Sequence, residues 1–494
     1  MHSKAGLGLA GGGLVALSLP PFGWWPLAVG GVVALLVALG DQPMRRRLLI
    51  GAGFGLGQFT VGLWWLGEFS LPGSVAVVAM EAAFLAAAAA LAPPGPGRVV
   101  GLPATLVLAE AARGLVPFGG LPMGGVALGQ IGGPLGAAAR VGGQLALLAL
   151  VAVAAVAVTA AIGRRWKLAA LAAGLVLTGA AAGRVAPDGG RAAGTLEVGA
   201  VQGGGARGFR QSEVDETVVF QAQLAASRQL QPPLDLVVWP EDVVDVNGPV
   251  EPTAEAAAIA EEARRLGATV VAGVIEGQPA SRPSAVGGFR NAAVAWSPTG
   301  QVVARYEKVH RVPFGEYIPG RRFFDLVADT SAVPRDAVPG SGPGILRTPA
   351  GDLGVLVSYE VFFADRARDA VRAGGRLLLV PTNAASFETS QVPAQEVAAA
   401  RLRAVESGRD LVQAAPTGAS AIIDRDGRVV ARSTLGRREV LRGTVTLRTS
   451  RTIYTTIGDG PLLALAAAAL CGAWALAHAR LKPAPRRPRA RTAR

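Results

Sequence analysis

The chain runs to 494 residues, 51% hydrophobic and only 17% charged, with 48 Lys plus Arg against 35 Asp plus Glu for a formal charge of +13. Soluble globular domains carry roughly a quarter charged residues, so an ordinary soluble protein is excluded and membrane segments are expected to dilute the charge. A single cysteine, Cys471, excludes an intramolecular disulfide, and the distant histidines His2, His310 and His478 leave no His/Cys metal spacing.

Apolar runs fill most of residues 5–184, at about 5–19, 25–40, 48–66, 74–92, 99–116, 141–162 and 168–182, and another follows at 461–479. A spanning helix needs about 20 apolar residues, with about 17 as a lower limit. The first two runs are short, and the Gly-rich first one, followed by Pro20, Pro21, Trp24 and Trp25, also suits a re-entrant or interfacial piece. A secretory signal would give way to soluble sequence after its cleavage site; here further apolar segments follow instead. Cys471 lies inside the last run and reads as a small buried hydrophobe.

Loop charge orients the runs. With the N-terminus inside and eight helices threaded, the cytoplasmic loops hold Arg45, Arg46 and Arg47, then Arg98, then Arg164, Arg165 and Lys167. The outer loops 67–73 and 117–140 hold little beyond Glu68 and Arg140. That asymmetry satisfies the positive-inside rule. It puts residues 185–458 outside and returns the C-terminus to the cytoplasm. The tail 480–494 carries Arg480, Lys482, Arg486, Arg487, Arg489, Arg491 and Arg494, which directly after an apolar run marks the cytoplasmic side rather than a nucleic-acid partner. Glu81 and Glu110 sit within apolar runs, where a carboxylate faces a cavity or a partner; Arg113 is a candidate ion-pair partner for Glu110 at i, i+3.

From about residue 194 the pattern changes. Strands are expected near 196–202, 234–239, 269–275, 292–296, 302–307, 353–358, 377–381, 411–415, 420–424 and 443–447, with helices at 213–228, 252–266, 364–373 and 391–407. Pro298-Thr299-Gly300 and Asp426-Gly427 read as hairpin turns. Alternating strands and helices with interposed hairpins predict a layered α/β sandwich.

Polar groups cluster where these strands end, the usual place for sites in α/β proteins. They are Trp239-Pro240-Glu241, the block from Tyr306 to Tyr317, Ser358-Tyr359-Glu360, and Pro381-Thr382-Asn383. The lysines of the chain are Lys4, Lys167, Lys308 and Lys482, so Lys308 is the sole lysine of the predicted outer domain. A solvated surface lysine is the bland reading. Where composition favours Arg, a retained Lys points instead to chemistry needing a compact ammonium, such as stabilising an oxyanion.

The block 308–319, Lys-Val-His-Arg-Val-Pro-Phe-Gly-Glu-Tyr-Ile-Pro, resembles the K-x-H-x-V-P-F-G-E-Y-x-P signature of apolipoprotein N-acyltransferases. Trp239-Pro240-Glu241 resembles the segment carrying that family's general base, and Ser358-Tyr359-Glu360 stands where the family has its Cys-Tyr-Glu nucleophile motif. Thr417-Gly418-Ala419-Ser420, residues 117–130 and Pro20-Pro21-Phe22-Gly23 also fit. The resemblance implies a multi-pass α-helical membrane domain at 1–184 of about seven helices. It implies an extracytoplasmic nitrilase-like αββα domain at 194–450, a transmembrane helix at 460–479 and a basic cytoplasmic tail at 480–494, all in a bacterial plasma membrane. It also implies a Glu-Lys-Cys triad and a ping-pong reaction without metal or cofactor. A phospholipid donates an acyl chain, and the amine of an S-diacylglyceryl-cysteine on an apolipoprotein accepts it. Carried over, Glu241 is the general base and Lys308 the oxyanion stabiliser. Glu316 and Glu360 hold Lys308 and orient the pocket, with Trp239, Tyr359 and Asn383 in support.

The pattern breaks at Ser358. A thiol with a pKa of about 8.5 is partly ionised at neutral pH, whereas an alcohol needs a base to take its proton. Family members often show N-D-A-W-F-G where this chain has Asn383-Ala384-Ala385-Ser386-Phe387-Glu388, and Glu396 stands where a histidine is common. Three readings follow: a serine-dependent N-acyltransferase, a silent homologue that binds lipid or lipoprotein or scaffolds a partner, and a membrane-tethered amidase. The eight-helix anchor counts against the third.

Overall fold

The computed structural model of the chain describes residues 2–205, 215–278, 287–327 and 329–481. The basic tail read from the sequence lies outside the described residues from 482 onward. Helices occupy the apolar runs in order: α1 (His2–Ser18), α2 (Pro26–Leu39), α3 (Met44–Gly62), α4 (Leu71–Leu91), α5 (Arg98–Arg113), α6 (Ala139–Ile162) and α7 (Trp166–Val185). Among the described residues four stretches are long and apolar enough to cross a membrane: Leu71–Leu91, Gly136–Ile162, Trp166–Val185 and Gly460–His478. Lys4–Ser18 and Pro26–Leu39 are shorter apolar helices.

Helix α1 packs on α2 and α3, and α3 on α4. The α1–α3 crossing is close because it is lined by glycine: a Cβ on Gly12 would fall on the Phe54 carbonyl oxygen, and one on Gly57 on that of Leu9. Buried between α4 and α5, the Arg113 guanidinium bonds Glu81 at 2.6 Å, Glu110 at 2.9 Å and the Met123 carbonyl at 2.5 Å. Both intramembrane carboxylates of the sequence therefore share one cation, which answers the charge that hydrocarbon would penalise.

The second unit is a two-sheet sandwich. Its first strands are β1 (Ala192–Gln202), β2 (Leu236–Val238), β3 (Val244–Val246), β4 (Thr269–Gly277), β5 (Phe289–Trp296) and β6 (Val302–Glu307). Next come β7 (Ile345–Thr348), β8 (Gly351–Val355), β9 (Leu377–Pro381), β10 (Leu411–Ala414), β11 (Ala421–Ile423), β12 (Val429–Arg432) and β13 (Glu439–Arg448). One sheet runs β13-β1-β2-β4-β5-β6 with β3 beside β4, and the other runs β12-β11-β10-β9-β8-β7. Strand β13 crosses back to lie antiparallel on β1, pairing Val198 with Gly443. The central strands are buried on both faces, so their sequences are unbroken apolar runs rather than alternations.

Between the sheets lie Val198, Leu236, Val238, Val271, Leu353, Val355, Leu379 and Val412. The outer face of the first sheet is covered by α8 (Glu216–Ser227) and α9 (Ala254–Leu266), whose Phe220 and Ile259 share a cluster with Trp239. The outer face of the second sheet is covered by α10 (Ala364–Arg372) and α11 (Val392–Ser407). A single apolar cluster runs from Val15, Leu36 and Leu148 of the bundle to Leu378, Val380 and Leu402 here. Helix α11 is therefore the floor on which the sandwich sits. Gln391 donates to the Val61 carbonyl at 3.0 Å, and Gln395 donates to that of Gly62 at 2.9 Å and accepts from Gly124 N–H at 3.1 Å. The chain closes with α12 (Gly460–Leu481), packed on α5.

The glycine contact gives the first prediction. Gly12→Ala forces α1 off α3 and lowers the thermal midpoint of the detergent-solubilised protein, by about 1–3 kcal/mol of stability. Gly174→Ala, where an added Cβ meets nothing within 4 Å, leaves it unchanged or slightly raised.

Candidate active site

The site is assembled where the strands of the two sheets end. Strand β6 stops at Glu307, and Lys308 continues its pairing by donating its N–H to the Asn291 carbonyl at 2.8 Å. The Lys308 side chain is thereby directed into the interior, where it is 2% exposed. Beyond β2, Trp239 N–H still bonds Val271 O at 2.8 Å, and the ladder then delivers Glu241, also buried. The loop after Lys308 returns Glu316, whose second carboxylate oxygen accepts from Val312 N–H at 2.7 Å.

The Lys308 ammonium bonds Glu241 Oε1 at 2.9 Å and Glu316 Oε1 at 2.9 Å. Asn291 Nδ2 donates to the same two oxygens, at 2.8 Å and 3.0 Å. Two carboxylates thus flank one ammonium. Burial, reinforced by repulsion from Glu316, holds Glu241 above the usual carboxylate range despite the pull of Lys308. Burial opposes the Lys308 charge, but the two carboxylates more than offset it and raise its pKa. The two shifts agree physically: with two anions and one cation the cluster keeps the lysine proton and readily takes another, which suits Glu241 to general-base work.

Ser358 follows a different course from that expected. The strand predicted over 353–358 ends at Val355, and Ser358 opens a 3-10 turn, Ser358–Phe362, with φ of 50°. A non-glycine residue there stores about 1–3 kcal/mol and persists only where its surroundings fix it. Asp242 and Phe314 share the left-handed conformation, at φ of 56° and 61°, so strain gathers around the site. The Ser358 hydroxyl lies 3.3 Å from Thr382 Oγ1 at the end of β9, and Thr382 Oγ1 lies 2.8 Å from Glu396 Oε1 on α11. Among the described contacts Ser358 bonds Thr382 and neither Lys308 nor Glu241.

The supporting residues divide by task. Glu360 does not hold the Lys308 side chain. Its carboxylate accepts from the N–H groups of Val309 at 2.8 Å, His310 at 3.1 Å and Val357 at 2.9 Å, and from Tyr306 Oη at 2.8 Å, clamping the lysine loop to the serine turn. Tyr359 points to the bundle, donating to the Gly120 carbonyl at 2.8 Å. Trp239 is fully buried with its ring 6.2 Å from Phe220, so it is core beneath the site. Asn383 caps its own turn through Ala385 N–H and reaches Asp242 at 3.4 Å, linking the ends of β9 and β2. Asn291 gave no signal in the sequence beyond opening an apolar run. Asp242, whose pKa burial and the neighbouring Glu241 push well above the usual carboxylate range, was readable only as the neighbour of Glu241.

Aromatic rings from both units ring this region. Phe387 packs on Trp65 at 4.8 Å and Phe69 at 4.9 Å, and Phe314 on Phe118 at 6.0 Å. Tyr317 Oη donates to the Phe118 carbonyl at 3.2 Å.

Fold and site together define a carbon–nitrogen hydrolase-type sandwich built onto a membrane helix bundle. Residues 193–454 match the carbon-nitrogen hydrolase family, and residues 11–181 match the apolipoprotein N-acyltransferase N-terminal domain. An apolipoprotein N-acyltransferase of Allorhizobium ampelinum is 30% identical over 487 residues, covering 90% of each chain. One from Mycolicibacterium smegmatis is 30% identical over 490 residues, 91% of this chain and 81% of that protein. One from Geobacter metallireducens is 36% identical over 246 residues, 50% of this chain and 46% of that protein. Among solved structures, Saccharomyces cerevisiae Nit3, a member of branch 10 of the nitrilase superfamily, matches 52% of this chain and 91% of its own at 20% identity and a TM-score of 0.40. The chain belongs to the apolipoprotein N-acyltransferase family, a family of transferases.

Two outcomes follow from the charges. Lys308→Met leaves Glu241 and Glu316 facing each other in the interior and costs about 3–5 kcal/mol of stability, read by denaturation in detergent. The loss shrinks in acid, where Glu241, with its raised pKa, takes a proton. The second concerns Glu396, whose pKa burial raises from 4.5 to about 8. Between those values the unfolded chain binds fewer protons than the native one, so stability is fully present below the lower value and declines as pH rises to the upper. In Glu396→Gln that decline between pH 5 and 8 flattens; an unchanged slope contradicts the assignment.

Proposed function

We propose that the protein moves an acyl chain from a phospholipid to the N-terminal amine of the S-diacylglyceryl-cysteine of an apolipoprotein, through an ester on Ser358. The observation that carries this reading is the buried Glu241–Lys308–Glu316 cluster in a unit seated on membrane helices. The aromatic rings contributed by both units support an apolar approach for acyl chains. In this scheme the Ser358 oxygen attacks the lipid ester carbon and loses its proton to a carboxylate base. Lys308 stabilises the oxyanion, and the lysophospholipid leaves as its alcohol. The amine then attacks the ester, the C–O bond to Ser358 breaks, and Glu241 passes the amine's proton to the departing serine oxygen. The names of the relatives, apolipoprotein N-acyltransferases, support the acceptor.

In the same reading residues 1–184 form the membrane domain, 194–450 the catalytic domain on the outer face of a bacterial plasma membrane, 460–479 the closing helix and 480–494 a cytoplasmic tail. The excess of Arg and Lys in the loops assigned to the cytoplasm supports that orientation.

One observation favours a second reading, a silent homologue that binds lipid or lipoprotein: an alcohol stands at position 358, and the ester it forms resists amines more than a thioester does. Mass spectrometry separates the two. Full-length protein is incubated with phosphatidylethanolamine in mixed micelles, and the peptide holding Ser358 is weighed. The acyltransferase reading expects one acyl chain on that peptide, none in Ser358→Ala, and loss of the adduct when a diacylglyceryl-cysteine peptide is added. A bare native protein beside a fully acylated Ser358→Cys supports the silent homologue instead.

A further inference from the structure

Serine is a poor nucleophile until a base takes its proton, and among the described contacts Ser358 makes no bond to Glu241. Glu241 Oε1 already receives Lys308 and Asn291. The Ser358 hydroxyl instead faces Thr382 Oγ1 at 3.3 Å, which faces Glu396 Oε1 at 2.8 Å. All three side chains are buried, Thr382 completely. A threonine hydroxyl has one proton to give. Thr382 Oγ1 is placed to donate to either neighbour, Ser358 Oγ or Glu396 Oε1; when its proton goes to the nearer Glu396 carboxylate, the Ser358 hydroxyl turns to donate to the Thr382 lone pairs. The chain then has one direction, from Ser358 to Glu396.

We infer that Thr382 and Glu396 form a proton relay for Ser358: Glu396 is a positioning residue that acts through Thr382 to orient the serine hydroxyl and receive its proton as the acyl-enzyme forms. The Ser358 oxygen bonds to the acyl carbon while its proton passes to Thr382, whose own proton moves to Glu396. As the bond from that carbon to the lysophospholipid oxygen breaks, the relay runs back and protonates the leaving oxygen. Glu241 is left free for the amine of the second half-reaction. The lipid substrate in this account rests on the function proposed above; the relay itself is a property of Ser358.

The surroundings set the relay's working range. Burial holds Glu396 at about 8, Thr382 and Lys308 pull it down, and Glu241 pushes it up. On the elements packed against α11, other charges are engaged: Glu360 with backbone N–H groups, Arg366 with Tyr306, Arg140 with Asp426. Tyr454 lies 3.3 Å from Asp459, and Arg403 pairs with Glu406 within α11 itself. The relay points from Ser358 to Glu396 only when Glu396 is ionised, so serine reactivity rises as pH passes through about 8.

A fluorophosphonate probe reads this without any lipid. Full-length protein in detergent is labelled between pH 6 and 9.5, and the rate at Ser358 is followed by peptide mass spectrometry. Labelling is expected to climb through about pH 8. Glu396→Gln and Thr382→Val are expected to slow it by at least about tenfold and to abolish the climb. Thr382→Ser, which restores the hydroxyl, is expected to recover both. Thermal midpoints at pH 6 show that the variants remain folded. Absence of labelling at Ser358 in the native protein, or the same rate and pH profile in Glu396→Gln, overturns the relay. Labelling with the expected profile but no phospholipid acylation upholds the relay and sinks the acyltransferase reading, so the two failures are distinct.

Discussion

The site is organised by one buried ammonium held between two carboxylates. Glu241 comes from the loop beyond β2 and Lys308 and Glu316 from the loop beyond β6, and Asn291 on β5 ties the same two carboxylate oxygens together. Desolvating three charges is expensive, and a buried ion pair is often no more stabilising than well-packed hydrophobic side chains. The cluster therefore makes little sense as a fold stabiliser. It makes sense as a site: a fixed positive point charge in a dry interior acts on developing negative charge far more strongly than it would in water. It also explains why Arg does not stand there in an otherwise Arg-rich chain. A guanidinium forks toward carboxylates in a plane, whereas an ammonium can be shared among two anions and a reacting oxygen.

Around that cluster the sandwich is asymmetric. The first sheet has a helical layer of its own, α8 and α9. The layer over the second sheet, led by α11, is fused into the apolar core of the bundle. Gln391, at the N-cap of α11, and Gln395 within it bond carbonyls at the end of α3, and the same helix carries Glu396 on its buried side. Seating on the membrane bundle and positioning of the Ser358 turn are thus done by one element. Tyr359, next to the serine, also bonds the bundle's Gly120 carbonyl. The Ser358 turn is thus held against the bundle by the same contacts that join the two units.

Much of this was legible in the sequence, for identifiable reasons. Central strands such as 269–277 are long apolar runs bounded by polar punctuation, and their pairing needs nothing else. Helix α9 has its Thr253 N-cap and its Gly267 C-cap, both visible as residue types. The short strands β3, β7 and β12 escaped because three or four residues at a sheet's edge carry no periodicity. The end of β8 was misplaced because 353–358 reads as one apolar run. The chain leaves the sheet at Val355 because Ser358 needs a left-handed backbone that only the Glu360 clamp and the surrounding packing impose. Glu360 itself was given the wrong task. Its chemical type was plain, but nothing in sequence spacing separates a carboxylate that grips an ammonium from one that grips three N–H groups. Asn291 was invisible as a site residue because its partners lie tens of residues away, and Thr382, visible within Pro381-Thr382-Asn383, gave no sign of its pairing with Ser358 and Glu396.

Two of the departures from the family pattern acquire one explanation. The resemblance drawn from the sequence implies cysteine at 358 and histidine near 396, and this chain has serine and glutamate there. In sequence they look unrelated. In space they are the two ends of one chain of hydroxyls and a carboxylate, joined by Thr382. A thiol, with a pKa of about 8.5, is already partly ionised at neutral pH. An alcohol must hand its proton over during attack, and what it needs is a buried base whose affinity for that proton is close to the working pH. Burial raises Glu396 into that range, at about 8, where an exposed carboxylate would be far too weak a base. Under the relay proposed above, Ser358 and Glu396 form one chemical unit, an alcohol and the buried carboxylate that receives its proton.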